Sequence, residues 1–382
     1  MKIAIVFSHL PEKYEAKDTY ERALRERFII EKLNQDGHDA RIMFLGYGNK
    51  IEILDDIPKA VFYPVDNKTI PKGRKFFTSE LLGKGLKKFS PDIVLFKGMG
   101  YILPWNLYKN GFLPDHFGFI VGGNTSDIML PLSSLMFIEF PNQQQLFKSV
   151  STIILGKYIP DSDFREKKGP SEYDIVSVGD FSHRKNQRAL VPLFDKYRIL
   201  FVGDGSEFVN VKKMVRAGNH VTFAGKVEKQ EVVDNISKAR IMVHPSRSEG
   251  FPRVFSEAFA CGIPVLALKR AIGGDFPHKK AGELVEECDL VGRASDLLSD
   301  ETALNRYSVE ARRIAENSYR GNMVYSQFLS GIESVLNRSQ KKRSLKQNKF
   351  ILYFRVLFWI LDFYFYHFGR PVKKFLKSML RR

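Results

Sequence analysis

The chain has 382 residues, 44% hydrophobic and 13% aromatic, which suits two packed domains better than one core or a disordered polyelectrolyte. Its net charge of +17 is localised: residues 341–382 hold twelve lysines and arginines against one aspartate. That concentration points to an anionic surface rather than nucleic acid, for which no recognition module is present. The two cysteines, Cys261 and Cys288, exclude a disulfide framework and a thiolate metal site and fit a reducing compartment.

The opening stretch MKIAIVFSHLPEKYEA loses its apolar character after Phe7, so it reads as a buried strand and not as a secretory signal. ERALRERFIIEKLNQDGH follows with helical periodicity up to Gly37, and ARIMFLG is a second strand. A basic run, KGRKFFTSELLGKGLKKF (72–89), contains Arg74, Lys75, Lys84, Lys87 and Lys88. Further strands are expected at PDIVLFKG (91–98), FGFIVGG (117–123) and STIILG (151–156). The charged segment FREKKGPSEY (164–173) interrupts this alternation and marks a domain boundary. Strands then resume at 174–179, 198–205, 220–225, 239–246 and 263–268, with helical segments between them. The expected organisation is α/β with two doubly wound, Rossmann-like domains, 1–165 and 173–300. A long helical pattern covers 301–337, and a basic, aromatic extension covers 338–382.

The most informative stretch is SEGFPRVFSEAFACGIPVLA (248–267). A turn through Ser248, Glu249, Gly250 and Phe251 follows the strand ARIMVHPS, and Pro252 stands near a helix start. That helix should end at Gly262, a residue suited to the C′ position. In an open parallel sheet the carboxyl ends of strands form the ligand crevice. The backbone N–H groups and helix dipole there suit phosphate, and Gly250 lets a ligand approach closely. Glu249 and Glu257, with seven residues between them, would repel phosphate but accept hydrogen bonds from hydroxyls on either side of it. A nucleotide-sugar has that layout: ribose hydroxyls, a diphosphate and sugar hydroxyls.

This segment resembles the signature of retaining, two-domain nucleotide-sugar glycosyltransferases of family 4, which have the GT-B fold. The residues that carry the resemblance are Pro245, Ser246, Glu249, Gly250 and Phe251, then Glu257, Ala258, Ala260, Gly262, Pro264 and Val265. SVGDFSHRKNQRALV (177–191) is similar to the family's Val-Gly strand end followed by a phosphate-binding lysine, here Lys185. The resemblance implies that Glu257 holds the ribose, Glu249 the donor sugar and Lys185 the diphosphate. Ser248, Gly250 and Phe251 belong to the implied donor loop. Two departures are visible. Asp180 stands where members usually carry an arginine, making the nearby Arg184 a candidate substitute. SHLPEKYEAKDTYER replaces the usual Gly-Gly loop after the first strand.

Other motifs read more plainly. Gly203 and Gly205 in VGDG lack the third glycine of a dinucleotide loop and fit a tight turn after a buried strand. Asp161-Ser162-Asp163 spells a metal-binding Asp-x-Asp but lies in the interdomain stretch, away from the donor loop, so no metal is expected. In KFILYFRVLFWILDFYFYHF (349–368), Arg355, Asp362 and Tyr366 share one helical face. Arg and Asp at a bilayer centre cost about 2.5–3.5 kcal/mol each, so an interfacial amphipathic helix is expected rather than a span. Trp359 would insert and Lys373 and Lys374 would meet anionic lipid.

Taken as one expectation, the chain is a metal-independent retaining glycosyltransferase of two facing Rossmann-like domains. It would use a nucleotide-sugar donor and no cofactor, with the stretch 301–337 returning to the first domain. The acceptor would be a glycan or glycolipid of surface polysaccharide or glycolipid synthesis. The protein would sit in the cytoplasm, peripheral on the inner face of the cell membrane, with no nucleic-acid partner. The competing expectations are a nucleotide-sugar epimerase of the same fold and a non-catalytic nucleotide-sugar-binding scaffold.

Overall fold

A computed structural model describes residues 1–10, 16–54, 60–66, 76–121, 127, 129–139, 141–148, 150–166, 169–249, 251–271 and 276–337. Gly250, Arg74 and Lys75, and the expected membrane helix with Arg355, Trp359, Lys373 and Lys374, lie outside the described residues.

The first half runs β1 (Lys2–Phe7), α1 (Ala16–Arg22), α2 (Leu24–Gln35), β2 (Asp39–Gly46), β3 (Glu52–Ile53), β4 (Ala60–Pro64), α3 (Glu80–Phe89), β5 (Ile93–Lys97), α4 (Ile102–Lys109), β6 (Phe117–Ile120), β7 (Leu135–Ile138) and β8 (Ser151–Ile154). Its strands form one sheet in the order β3-β4-β2-β1-β5-β6-β7-β8, parallel except for the short antiparallel β3–β4 pair. Side chains on β1 alternate between two cores. Ala4 and Val6 join the core on one face, and Ile3, Ile5 and Phe7 the core on the other. Such two-sided burial explains why the parallel strands read as continuous apolar runs. The runs at 60–64 and 135–138 were not anticipated as strands. Short apolar runs of this length carry no period that separates a strand from a buried helix segment.

The second half runs β9 (Tyr173–Val178), β10 (Ile199–Val202), α5 (Phe208–Lys212), β11 (Val221–Gly225), α6 (Lys229–Ser237), β12 (Ala239–His244), α7 (Arg253–Ala260), β13 (Val265–Leu268), β14 (Gly282–Val285), α8 (Leu290–Ser299), α9 (Glu301–Ser318) and α10 (Gly321–Leu336). Its sheet is wholly parallel in the order β11-β10-β9-β12-β13-β14. That is the 3-2-1-4-5-6 order of a doubly wound dinucleotide-type sheet, and its order reverses between β9 and β12. Ligand crevices open at the carboxyl ends of strands at such a reversal.

The stretch 301–337 is two helices rather than one. On α9, Leu304, Tyr307, Ala311 and Ala315 join the second domain's core. The chain then turns at Tyr319–Arg320, and α10 buries Val324, Phe328, Ile332 and Val335 against the first sheet. Phe328 stacks on Phe137 of β7 at 4.9 Å between ring centroids. At the crossing, Ile159 donates to the Tyr319 carbonyl at 2.9 Å and Arg320 pairs with Asp161 at 2.7 Å. Asp163 is buried with Lys229 3.7 Å away. Both acids of the Asp-Ser-Asp run therefore face protein cations.

Candidate active site

Two loops meet where the second sheet reverses its order. The loop after β9 carries Asp180, Arg184 and Lys185, and the loop after β12 carries Ser246, Ser248 and Glu249. Backbone and side-chain bonds tie them together. Arg247 N donates to the Arg184 carbonyl at 2.8 Å, and Asn186 Nδ2 donates to the Pro245 carbonyl at 3.3 Å. Asn186 adopts a left-handed conformation (φ 57°), which asparagine tolerates better than most residues. Gly203, after β10, has φ 133°, and a Cβ there would lie 2.0 Å from the Gly179 carbonyl oxygen. Its missing side chain lets the β10 loop press against the β9 loop, so the VGDG glycine serves close loop packing as well as the turn.

Glu249 is the hub. Its Oε1 accepts from Arg184 Nη1 at 2.6 Å and Ser246 Oγ at 2.9 Å, and lies 2.7 Å from Lys185 Nζ. His244 Nε2, at the end of β12, is 3.8 Å away. Burial alone would raise the Glu249 carboxyl, but His244, Lys185 and Ser246 around it hold it well below the usual carboxylate range. Burial lowers His244, which is 2% exposed and edge-on to Phe255 at 5.1 Å. The site therefore presents an ionised glutamate ringed by a lysine, an arginine, a serine hydroxyl and a buried histidine. Arg184 Nη1 also donates to the Ser248 carbonyl at 2.9 Å, and its Nη2 lies 3.7 Å from Asp180 Oδ1.

Glu257 lies apart from this cluster, on α7. It is only 5% exposed, on a helix whose residues Phe255–Ala260 are all buried, which rejects a solvated helix glutamate. Burial raises its carboxyl, and the opposing influences come from Arg253 and Lys229. Arg253 Nε is 3.0 Å from Glu257 Oε1. The two glutamates thus have separate cationic partners. After Glu257 the helix closes as its sequence implied. Gly262 takes φ 67°, and Ile263 N donates to the Ala258 carbonyl at 2.8 Å.

The structure brings Lys185, Arg184, Ser248 and Glu249 together. Phe251 does not join them through its ring, which is buried edge-on to Phe255 at 5.5 Å and anchors the loop to the core. Sequence reasoning missed His244, the Ser246 hydroxyl as a Glu249 partner, and Arg253. The His-Pro pair closing the strand MVHPS was the one available signal for His244. Among the described residues no group of three or more His, Cys, Asp or Glu is placed to hold a metal ion.

Residues 159–315 match the model of the family described as glycosyl transferases group 1. That segment, about two fifths of the chain, is similar to the group 1 glycosyl transferases. Both loops of the cluster, and Glu257, fall inside the matched segment. Among curated proteins, the chain is 28% identical over 173 residues to N-acetyl-alpha-D-glucosaminyl L-malate synthase of Bacillus anthracis, covering 41% of the chain and 44% of the relative. It is 32% identical over 231 residues to an uncharacterized glycosyltransferase of Methanocaldococcus jannaschii, covering 48% of the chain and 65% of that relative. The chain therefore spans less than two thirds of the length of either. In fold, it matches Anabaena HepE solved with UDP at a TM-score of 0.64 and 14% identity, covering 87% of this chain and 100% of that one. The architecture is thus the two-domain, parallel-sheet GT-B arrangement.

Proposed function

We propose that this chain is a retaining glycosyltransferase that moves a sugar from a nucleotide-diphospho-sugar to an acceptor hydroxyl, with the anomeric configuration kept. The observation that carries the reading is the Arg184–Lys185–Glu249 cluster at the reversal point of the second sheet, inside the family segment. Cleaving a glycosyl–diphosphate bond builds negative charge on the leaving oxygen. Lys185 and Arg184 supply preorganised positive charge where that oxygen departs, which needs no reorganisation at the moment of reaction. In this reading the Lys185 ammonium, with three N–H donors, keeps its place through Glu249 and turns the others to phosphate. Glu249 positions the donor sugar and Glu257 the ribose. Phe251 would serve through its backbone, since its ring is in the core. No metal enters the scheme.

We further propose a lipid-linked or membrane-proximal acceptor, as in surface polysaccharide or glycolipid synthesis, and a peripheral position on the inner face of the cell membrane. Among the described residues no helix is long and apolar enough to cross a membrane. Support comes from the basic, aromatic extension and from α3, which exposes Leu81, Lys84, Lys87 and Lys88.

The test is a thermal-shift panel of nucleotide-sugars on the wild type and Glu257→Ala, followed by proton NMR of the product's anomeric linkage. One donor class should raise the wild-type melting temperature and fail with the variant, and the transferred sugar should keep its configuration. Release of an altered nucleotide-sugar without acceptor would mark an epimerase instead. Donor binding with no turnover over a broad acceptor set would mark a scaffold.

A further inference from the structure

A second charged site lies in the first domain, where its sheet also reverses order, between β1 and β5. A cavity of about 480 Å³ opens there at the carboxyl ends of β1, β5, β7 and β8 and at the start of α2, and the second domain reaches it with Arg253. This volume suits a small-molecule group. Neither Lys185 nor Glu249 lines it, so it is separate from the cluster assigned to the donor diphosphate.

Its lining has an excess of positive charge. Arg22, Arg25, Lys97, Lys157 and Arg253 face only two carboxylates, Glu26 and Glu139. Arg25 is spent on structure. It is buried, binds Glu26 Oε1 at 2.9 Å and donates to the carbonyls of Leu155 and Gly156 at 3.4 and 3.2 Å. The two lysines are differently placed. Lys97 Nζ meets Glu26 Oε1 at 3.2 Å, and Lys157 Nζ donates to Glu139 Oε1 at 2.6 Å. One carboxylate each leaves two N–H donors per ammonium for another acceptor. Burial alone would raise Glu26, yet Lys97 and Arg25 hold it down to about 2, so the acid stays charged and keeps both cations in place. Arg253 adds an independent sign. Its Nη2 is buried and has no hydrogen-bond partner among the described residues. A donor in that state lacks a protein acceptor, and an oxyanion in the cavity would supply one.

We propose that this cavity binds an anionic group, phosphate or carboxylate, carried by the acceptor, with Lys97, Lys157, Arg22 and Arg253 as its contacts. The proposal rests on the glycosyltransferase reading above and narrows its acceptor to molecules that carry a negative charge close to the hydroxyl glycosylated. The cavity adjoins Arg253, and Arg253 adjoins Glu257. An acceptor anchored there would therefore be held on the side of the interdomain gap that faces α7, the helix that follows the donor loop.

Three three-carbon probes test it on the full chain by isothermal titration: sn-glycerol 3-phosphate, D-glycerate and the neutral glycerol. The expected result is binding of at least one anion and none of glycerol. Affinity should fall at least tenfold in Lys97→Gln and in Arg22→Gln and stay unchanged in Lys185→Gln. The phosphate and carboxylate arms identify which anion is preferred. Arg22 is exposed on α1, so Arg22→Gln keeps the test valid if Lys97→Gln, which strips Glu26 of a partner, does not fold. Anion binding that only Lys185→Gln weakens would place the anion in the donor site and overturn the proposal. Failure of both anions with a chain that still binds a nucleotide-sugar would overturn it while leaving the glycosyltransferase reading intact. Failure of anions and donors alike would remove both.

Discussion

Lys185 Nζ and Glu249 Oε1 stand 2.7 Å apart, although they come from loops after β9 and β12, strands that are neighbours in the sheet but not in the chain. The pair keeps a cation at the carboxyl end of the sheet, aimed by a carboxylate that stays ionised at every physiological pH.

Replacing Lys185 with alanine should therefore lower kcat for sugar transfer by about 10²–10³, the usual effect of removing one preorganised group that meets developing negative charge. Donor affinity measured by titration should fall far less. Steady-state kinetics with the donor found by the thermal-shift panel separates the two, and an unchanged kcat would remove Lys185 from the reacting centre.

Glu249 and Glu257 should respond to pH in opposite senses. Glu249 is held below the ordinary carboxylate range in the fold, so its stabilising contribution is full above the unfolded value of about 4.3 and fades as pH falls below it. Glu249→Gln should cost about 1–3 kcal/mol at pH 7, with the deficit shrinking under acid. Glu257 is raised by burial, so its charge works against folding above about pH 4.3. Glu257→Gln should be at least as stable as wild type at pH 7, lose that margin at low pH, and still bind donor more weakly. Urea titrations at several pH values read both.

Gly203→Ala should damage the site without touching any of its charged groups. The added Cβ would fall 2.0 Å from the Gly179 carbonyl oxygen in a backbone conformation that L residues avoid. Strain of about 1–3 kcal/mol is expected. The β9 loop must shift to relieve it, so donor KM should rise together with the loss of melting temperature. A stable variant with wild-type KM would show that this contact does not seat Lys185.

Phe328→Ala tests where the last described helix belongs. The ring is fully buried and stacked on Phe137, so its removal should cost about 3–5 kcal/mol. The loss should appear in the unfolding of the first domain, followed by local hydrogen exchange at β1, β7 and β8. Protection in β9–β14 should be unchanged.

Removing residues 338–382 should abolish co-sedimentation with vesicles containing anionic lipid and leave donor binding intact. Each basic residue near such a surface contributes about 1 kcal/mol. Equal sedimentation of full-length and shortened chains at low and high salt would reassign those residues to contacts within the protein or with a partner.

Much of this protein could be read from the order of its residues. Continuous apolar runs announced most of the parallel strands, because both sheet faces are covered, but not the short β4 and β7. Gly262, Pro252 and the Glu249–Glu257 spacing announced the loop and helix after β12, because turn and cap chemistry is local. Lys185 was legible in another way, through the resemblance of SVGDFSHRKNQRALV to a family segment in which a lysine follows the strand end. Pairings across the chain were a different matter. That Ser246, Arg184 and His244 all surround Glu249 depends on β9 and β12 lying side by side. The burial of the Phe251 ring depends on where Phe255 sits. The break between α9 and α10 left no apolar signature, since both helices keep a buried stripe and differ only in the sheet that receives it. The cationic cavity was the least legible feature. Its residues come from four strand ends and from the helices α1, α2 and α7, and what unites them is the reversal of strand order at β1 and β5. Sequence determines which segments must be buried and which must turn. Only tertiary structure decides which charges meet, because Coulombic and hydrogen-bonding partners are chosen by distance in space.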